Sequence, residues 1–98
     1  MPEIVEVGSF VGGFLAAGRQ LGWSMLGVDP GKQVTEFCRS RELPVYCGTL
    51  GDAQISSNSV DAVVIWNTFD QLPTPDTTLT AARRILRHEG LLVIRVPN

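Results

Sequence analysis

The sequence predicts an α/β domain built on a five-stranded parallel sheet in the order 3-2-1-4-5, with helices on both faces. Three observations predict it. Short continuous apolar runs recur along the chain, as in strands that are buried on both sides. Stretches of helical periodicity lie between several of them, and strand–helix–strand alternation requires right-handed crossovers that put helices on both faces of the sheet. The first apolar run also ends in a carboxylate and turns through glycines into a helix, a construction that brings backbone close to a ligand at a helix N-terminus.

The first strand is Ile4 to Val7, followed by the turn Gly8-Ser9-Phe10-Val11-Gly12. The first helix, Gly13 to Leu21, sets Phe14, Leu15, Ala17, Gly18 and Leu21 at helical spacings and ends near Gly22. Met25 to Val28 is the second strand and leads into Asp29; Lys32 to Arg41 is the second helix, with Val34, Phe37 and Cys38 on one face. Pro44 to Cys47 is a weaker third strand. Between Gly48 and Ser59 there are few helix-forming apolar repeats, and Ser56-Ser57-Asn58-Ser59 reads as a turn, so little regular helix is expected there. Ala62 to Trp66 is the fourth strand. Asp76 to Arg87, after Pro75, aligns Leu79, Ala82, Ile85 and Leu86 and stops before Gly90; Leu91 to Val96 is the fifth strand. In this strand order the switch point falls between strands one and four, so a ligand is expected at their carboxyl ends, where Gly8 to Gly12 and Asn67 would meet.

Composition narrows the function classes. Ninety-eight residues make one domain, 1–98, with a single core, and 44% hydrophobic against 18% charged residues is a globular balance. Apolar runs fall far short of the ~20 residues of a membrane span. A formal net charge of −2 offers phosphate backbones no general attraction. The trio Arg83, Arg84 and Arg87 reads as the wet face of a helix, so neither nucleic acid nor membrane is expected as a partner. Cys38 and Cys47 lack metal-ligand spacing, and His88 is the only histidine, so no metal site is expected and the cysteines read as structural. Met1-Pro2-Glu3 has no basic region of the kind that opens a signal peptide, and a cytoplasmic setting is expected.

The chemistry-bearing pattern is Glu6-x-Gly8-x-Phe10-x-Gly12. Gly8 and Gly12 can adopt backbone conformations that a Cβ disfavours, and their missing side chains let a ligand lie against the loop. An acid at the strand's end suits a ligand that carries an ammonium group or several hydroxyls, and it is a poor neighbour for pyrophosphate. The dinucleotide fingerprint G-x-G-x-x-G is not satisfied, because Phe10 takes the middle glycine's place. Asp29 lies about 20 residues downstream at the end of strand two, where a carboxylate can accept both hydroxyls of a ribose. The same residue could instead cap the second helix or serve the turn Asp29-Pro30-Gly31. Glu6 and Asp29 together favour a ribose-bearing ligand.

These residues resemble the class I S-adenosylmethionine-dependent methyltransferases, and the resemblance runs across nearly the whole chain. Glu6-Val7-Gly8-Ser9-Phe10-Val11-Gly12 is similar to the family's first motif and Gly27-Val28-Asp29-Pro30 to its second. Gly48-Thr49-Leu50-Gly51-Asp52-Ala53 resembles the loop after strand three, and Val60-Asp61-Ala62-Val63-Val64 the opening of strand four. The segment from Ala82 to Ile94 resembles the last helix, its glycine turn and strand five, with Pro97-Asn98 closing that strand as in many small-molecule members. The resemblance implies a Rossmann-like three-layer sandwich and S-adenosylmethionine as cofactor. It implies that Glu6 helps to hold the methionine end, that Gly8, Phe10 and Gly12 shape the wall beside it, and that Asp29, followed by Pro30, binds the ribose. Thr49 and Leu50 would flank the adenine, and Asn67 would line the side of the donor methyl.

Several positions depart from the family pattern. Phe10 stands where glycine is common, and Asp70-Gln71 replaces a Glu-His pair after strand four. Asn67-Thr68-Phe69-Asp70 lacks the Pro-Pro step of enzymes that methylate amino groups of nucleic-acid bases, and these positions support no substrate class; a small-molecule acceptor is what the resemblance implies, and no catalytic residue is assigned. The usual antiparallel strands after strand five are lacking, which leaves Leu91 to Val96 as a long apolar edge that seeks a partner. Either the chain is a fragment of a longer protein, or it forms a homodimer through strand five. The functional readings are a methyltransferase, a noncatalytic nucleotide-binding remnant of one, and, disfavoured by Glu6 and the missing glycine, a nicotinamide-dependent dehydrogenase.

Overall fold

Alternation along the strands sorts the apolar residues into two cores, one on each face of a parallel sheet. The computed structural model describes residues 1–66 and 75–95. Its elements are β1 (Glu3–Val7), α1 (Gly13–Gln20), β2 (Ser24–Asp29), α2 (Lys32–Ser40), β3 (Val45–Cys47), β4 (Val60–Trp66), α3 (Pro75–Ile85) and β5 (Leu86–Arg95). The sheet runs β3-β2-β1-β4-β5 with every pairing parallel, in the order read from the sequence. Val5 lies between Leu26 of β2 and Val63 of β4, and Val7 between Val28 and Ile65.

On one face Val5, Val7, Val28, Val63 and Ile65 pack with Ala82 and Ile85 of α3 and with Leu50 and Ala53 of the β3–β4 connection. On the other, Ile4, Met25, Val45 and Val64 pack with Leu15 of α1, Cys38 of α2 and Leu43. Leu15, Ile65 and Ile85 are fully enclosed, and burying side chains of this size stabilises the fold by about 1.5–3 kcal/mol each. As the sequence suggests, no helix forms between β3 and β4; that segment is built of turns. Among the described residues no helix is long and apolar enough to cross a membrane.

Two details differ from the sequence reading. The inner face of α2 carries Thr35 and Cys38, whereas Phe37 is exposed, with the Arg41 guanidinium 5.8 Å from its ring centre. Thr35 tolerates burial because its hydroxyl donates to the Gly31 carbonyl at 2.7 Å, one turn back. At the other boundary α3 ends at Ile85 rather than Arg87, because Leu86 already pairs with Val60. A register shift between Val60 and Ala62 absorbs the irregular stretch, in which Glu89 has φ 67°. Freed from the helix, Arg87 donates to Asp61 Oδ1 at 2.9 Å and to Glu3 Oε2 at 3.0 Å, joining β5 to β4 and β1. Val96, the expected last residue of strand five, lies outside the described residues.

Candidate functional site

The carboxyl ends of β1 and β2 lie side by side, with Val7 beside Val28, and the Gly8 amide extends their ladder by donating to the Val28 carbonyl at 2.7 Å. Beyond that point the chain must rise and return to start α1. Gly8 (φ 79°) and Gly12 (φ 88°) supply the left-handed turns, and the Gly12 amide closes the loop on the Ser9 carbonyl at 3.0 Å. Gly12 also has no room for a side chain, since a Cβ would come within 2.5 Å of Leu43 Cδ1. Its side-chain-free face therefore serves packing against the α2 side of the core. Phe10 sits at the top of the loop with φ 51°, and the residue is 65% exposed.

Asp29 ties this loop to the next one. Its Oδ2 accepts a hydrogen bond from the Phe10 amide at 3.1 Å, and its Oδ1 accepts one from the Gly31 amide at 2.8 Å. The Asp29 carbonyl accepts from the Gly48 amide at 3.0 Å, which draws the loop after β3 to the same place. From below, the Cys38 thiol donates to the Phe10 carbonyl at 3.2 Å. The loops after β1, β2 and β3 thus converge on one acid.

Glu6 lies one layer down and is buried at 3% exposure, with Gly27 of β2 and Val64 of β4 as its sheet neighbours. Its Oε1 and the hydroxyl of the equally buried Ser9 have no hydrogen-bond partner among the described residues. Burial, and then the Asp29 carboxylate, push the Glu6 carboxyl up to about 8. The same causes raise the Cys38 thiol: burial first, then Asp29 and Glu6. Such a place is short of hydrogen-bond donors and of positive charge, so it suits a ligand that brings an ammonium group or hydroxyls.

The other residues singled out from the sequence fall around this centre. Pro30 follows Asp29 and is exposed; its carbonyl accepts from the Cys47 thiol at 3.8 Å. Thr49 is exposed, and its hydroxyl accepts from the Asp52 amide at 3.2 Å. Leu50, expected to meet a ligand by apolar contact, is 1% exposed and belongs to the α3-side core, so it holds the Thr49 loop rather than facing the site. Asn67 and Asp70 lie outside the described residues. Ser9 and Cys38 are the buried neighbours of this centre that sequence reasoning missed. Ser9 could have been found from its place between the carboxylate and the second glycine, whereas no pattern in the sequence marks Cys38.

Comparison with known proteins identifies the family and the fold. Residues 5–94 match the model of the methyltransferase domain family. An S-adenosylmethionine-dependent methyltransferase from Archaeoglobus fulgidus shares the fold with a TM-score of 0.89 at 21% identity, over 99% of this chain and 45% of that one. One from Thermotoga maritima is 28% identical with a TM-score of 0.79, over 96% and 44%. A Haloferax volcanii protein solved in complex with a methyltransferase activator is 26% identical with a TM-score of 0.81, over 91% and 42%. The chain spans less than half the length of these structures. No curated protein matches it. The sheet order, the acid-and-glycine turn after β1 and the second acid after β2 all lie inside the matched segment, and the chain belongs to the methyltransferase domain family.

Proposed function

We propose that this chain binds S-adenosylmethionine and serves transfer of its methyl group to a small-molecule acceptor. The observation that carries the proposal is the placement of Glu6 and Asp29 near the ends of neighbouring strands, with Glu6 Oε1 buried and lacking a hydrogen-bond partner among the described residues. An ammonium group beside Glu6 would supply the missing donor and charge. Asp29 has capacity as well, because each of its oxygens accepts one backbone N–H and retains a second acceptor site for a ribose hydroxyl.

In this reading Gly8, Phe10 and Gly12 form the wall beside the methionine end, and Pro30 follows the ribose acid. Thr49, on a loop anchored by Leu50, lies toward the adenine. When bound, the cofactor supplies an electrophilic methyl group on a sulfonium. The chain's own task is to hold that group in line with an acceptor while water is excluded, which needs positioning more than a dedicated base. A cytoplasmic setting, in keeping with two unbridged cysteines, and a homodimer through the β5 edge belong to the same proposal.

Equilibrium binding of S-adenosylmethionine and of its demethylated product, followed by a labelled-methyl transfer screen over small nucleophiles, tests it. Binding that weakens at least tenfold in Asp29→Ala supports the cradle, and transfer to any acceptor supports the enzyme. A folded sample that binds neither compound overturns both.

A further inference from the structure

Phe10 is clamped through both polar groups of its backbone. Its amide donates to Asp29 Oδ2 at 3.1 Å, and its carbonyl accepts from the Cys38 thiol at 3.2 Å, so side chains from β2 and α2 fix one residue of the glycine turn. Between these clamps it holds φ 51°, a backbone conformation that is costly for a bulky side chain. Among the described residues the other non-glycine residues at positive φ are Glu42, Asn58 and Glu89, all polar, and Phe10 is the one aromatic. Strain that the surroundings over-determine in this way gathers at ligand clamps. The clamp here sets an aromatic side chain on the turn that joins the site's two acids.

We propose that the Phe10 ring lies against the sulfonium of the bound donor and makes the site prefer the charged donor to its neutral product. This rests on the function proposed above. In S-adenosylmethionine the sulfur joins the amino-acid chain, whose ammonium falls to Glu6, to the ribose, whose hydroxyls fall to Asp29. Phe10 stands between those two acids, since it follows Glu6 on the turn after β1 and its amide is fixed on the Asp29 carboxylate. A ligand that reaches both acids therefore passes its sulfur beside the turn that carries Phe10. A cation over an aromatic face gains roughly twofold to thirtyfold in affinity, and a thioether, which has no charge, gains nothing of that kind. When the methyl leaves, the acceptor's lone pair forms the new bond, and the sulfur keeps the electron pair of the broken one and becomes neutral. The ring then loses its partner, and spent product yields its place to fresh donor. Because positive charge leaves the sulfur during transfer, the ring acts on this exchange rather than on the barrier.

Calorimetric titration of the 98-residue chain with S-adenosylmethionine and with its demethylated product tests the preference, with circular dichroism as the check of folding. Both ligands carry the same ammonium and ribose, so the ratio of their dissociation constants isolates the sulfur. Phe10→Leu keeps an apolar side chain at the same strained φ but removes the aromatic face. Replacement of Phe10 by pentafluorophenylalanine keeps the ring and cancels the negative charge of its face, which an apolar wall would not register. Each change should lower the donor's advantage over the product about fivefold, through weaker donor binding, with product affinity held within about twofold. An advantage that stays within about twofold of the wild type overturns the inference, as does equal weakening of both ligands, which would leave the ring as apolar wall only. Tightening of both ligands in Phe10→Leu overturns it as well, since the ring would then occupy their place. A folded wild type that binds neither compound overturns the proposed function and this inference with it, whereas one that binds both with a preference indifferent to the ring overturns this inference alone.

Discussion

The Phe10 amide donates a 3.1 Å hydrogen bond to Asp29 Oδ2, and through it the glycine turn after β1 is fastened to the acid that ends β2. The Gly31 amide takes the other oxygen at 2.8 Å. Asp29 therefore acts on the fold as well as on the proposed ligand. Asp29→Ala leaves two amides without their acceptor and should lower stability by about 1–3 kcal/mol, besides weakening cofactor binding at least tenfold. Asp29→Asn keeps one acceptor oxygen and should recover part of the stability, while the ribose contact remains weakened. Denaturant melts paired with binding isotherms separate the two effects.

Glu6 gives the site a pH dependence of defined sign. With its carboxyl near 8 in the fold against an ordinary 4.5, the folded chain keeps a proton that the unfolded chain has lost. Its contribution is fully present below pH 4.5 and disappears as pH rises through 8, a loss on the order of 5 kcal/mol. Glu6→Gln should flatten the stability profile over that window and exceed the wild type above it. Thermal melts at half-unit pH steps without ligand measure the difference.

Phe10 holds a left-handed backbone and is mostly exposed. Phe10→Gly should leave stability unchanged or raise it by up to about 1 kcal/mol, since the strain of φ 51° is relieved at some cost in chain entropy. If the ring flanks the bound cofactor, Phe10→Ala should weaken binding severalfold with the melting temperature little altered. Binding that tightens in Phe10→Ala would mean that the ring occupies the cofactor's place.

Gly12→Ala should be the more damaging change in the same loop. A methyl group there meets Leu43 Cδ1, and the φ of 88° suits glycine. A loss of about 2–3 kcal/mol is expected in chemical denaturation, with repacking of Leu43 setting the exact value.

The fold was legible in the sequence because most strands carry a short apolar run and each helix has its own period. Ile4 to Val7 and Met25 to Val28 fall inside the observed β1 and β2 for that reason. The end of α3 was less so, since Leu86 satisfies a helical period and a strand pairing equally well, and only its neighbour Val60 decides. Glu6 and Asp29 could be singled out because a carboxylate at the end of an apolar run is conspicuous. That Leu50 turns into the core, that Thr35 replaces Phe37 on the inner face of α2, and that Cys38 props the Phe10 carbonyl are matters of tertiary packing. No local pattern encodes them.

The cradle formed by Glu6 and Asp29 is tested most directly by calorimetric titration of S-adenosylmethionine at pH 7 in two buffers of different ionisation enthalpy. Wild-type protein should bind one equivalent and release close to one proton as the ligand's ammonium group draws Glu6 into its ionised form, and Glu6→Gln should bind without that release. No binding heat in either buffer from a folded wild-type sample, or a proton release that Glu6→Gln leaves unchanged, would contradict it.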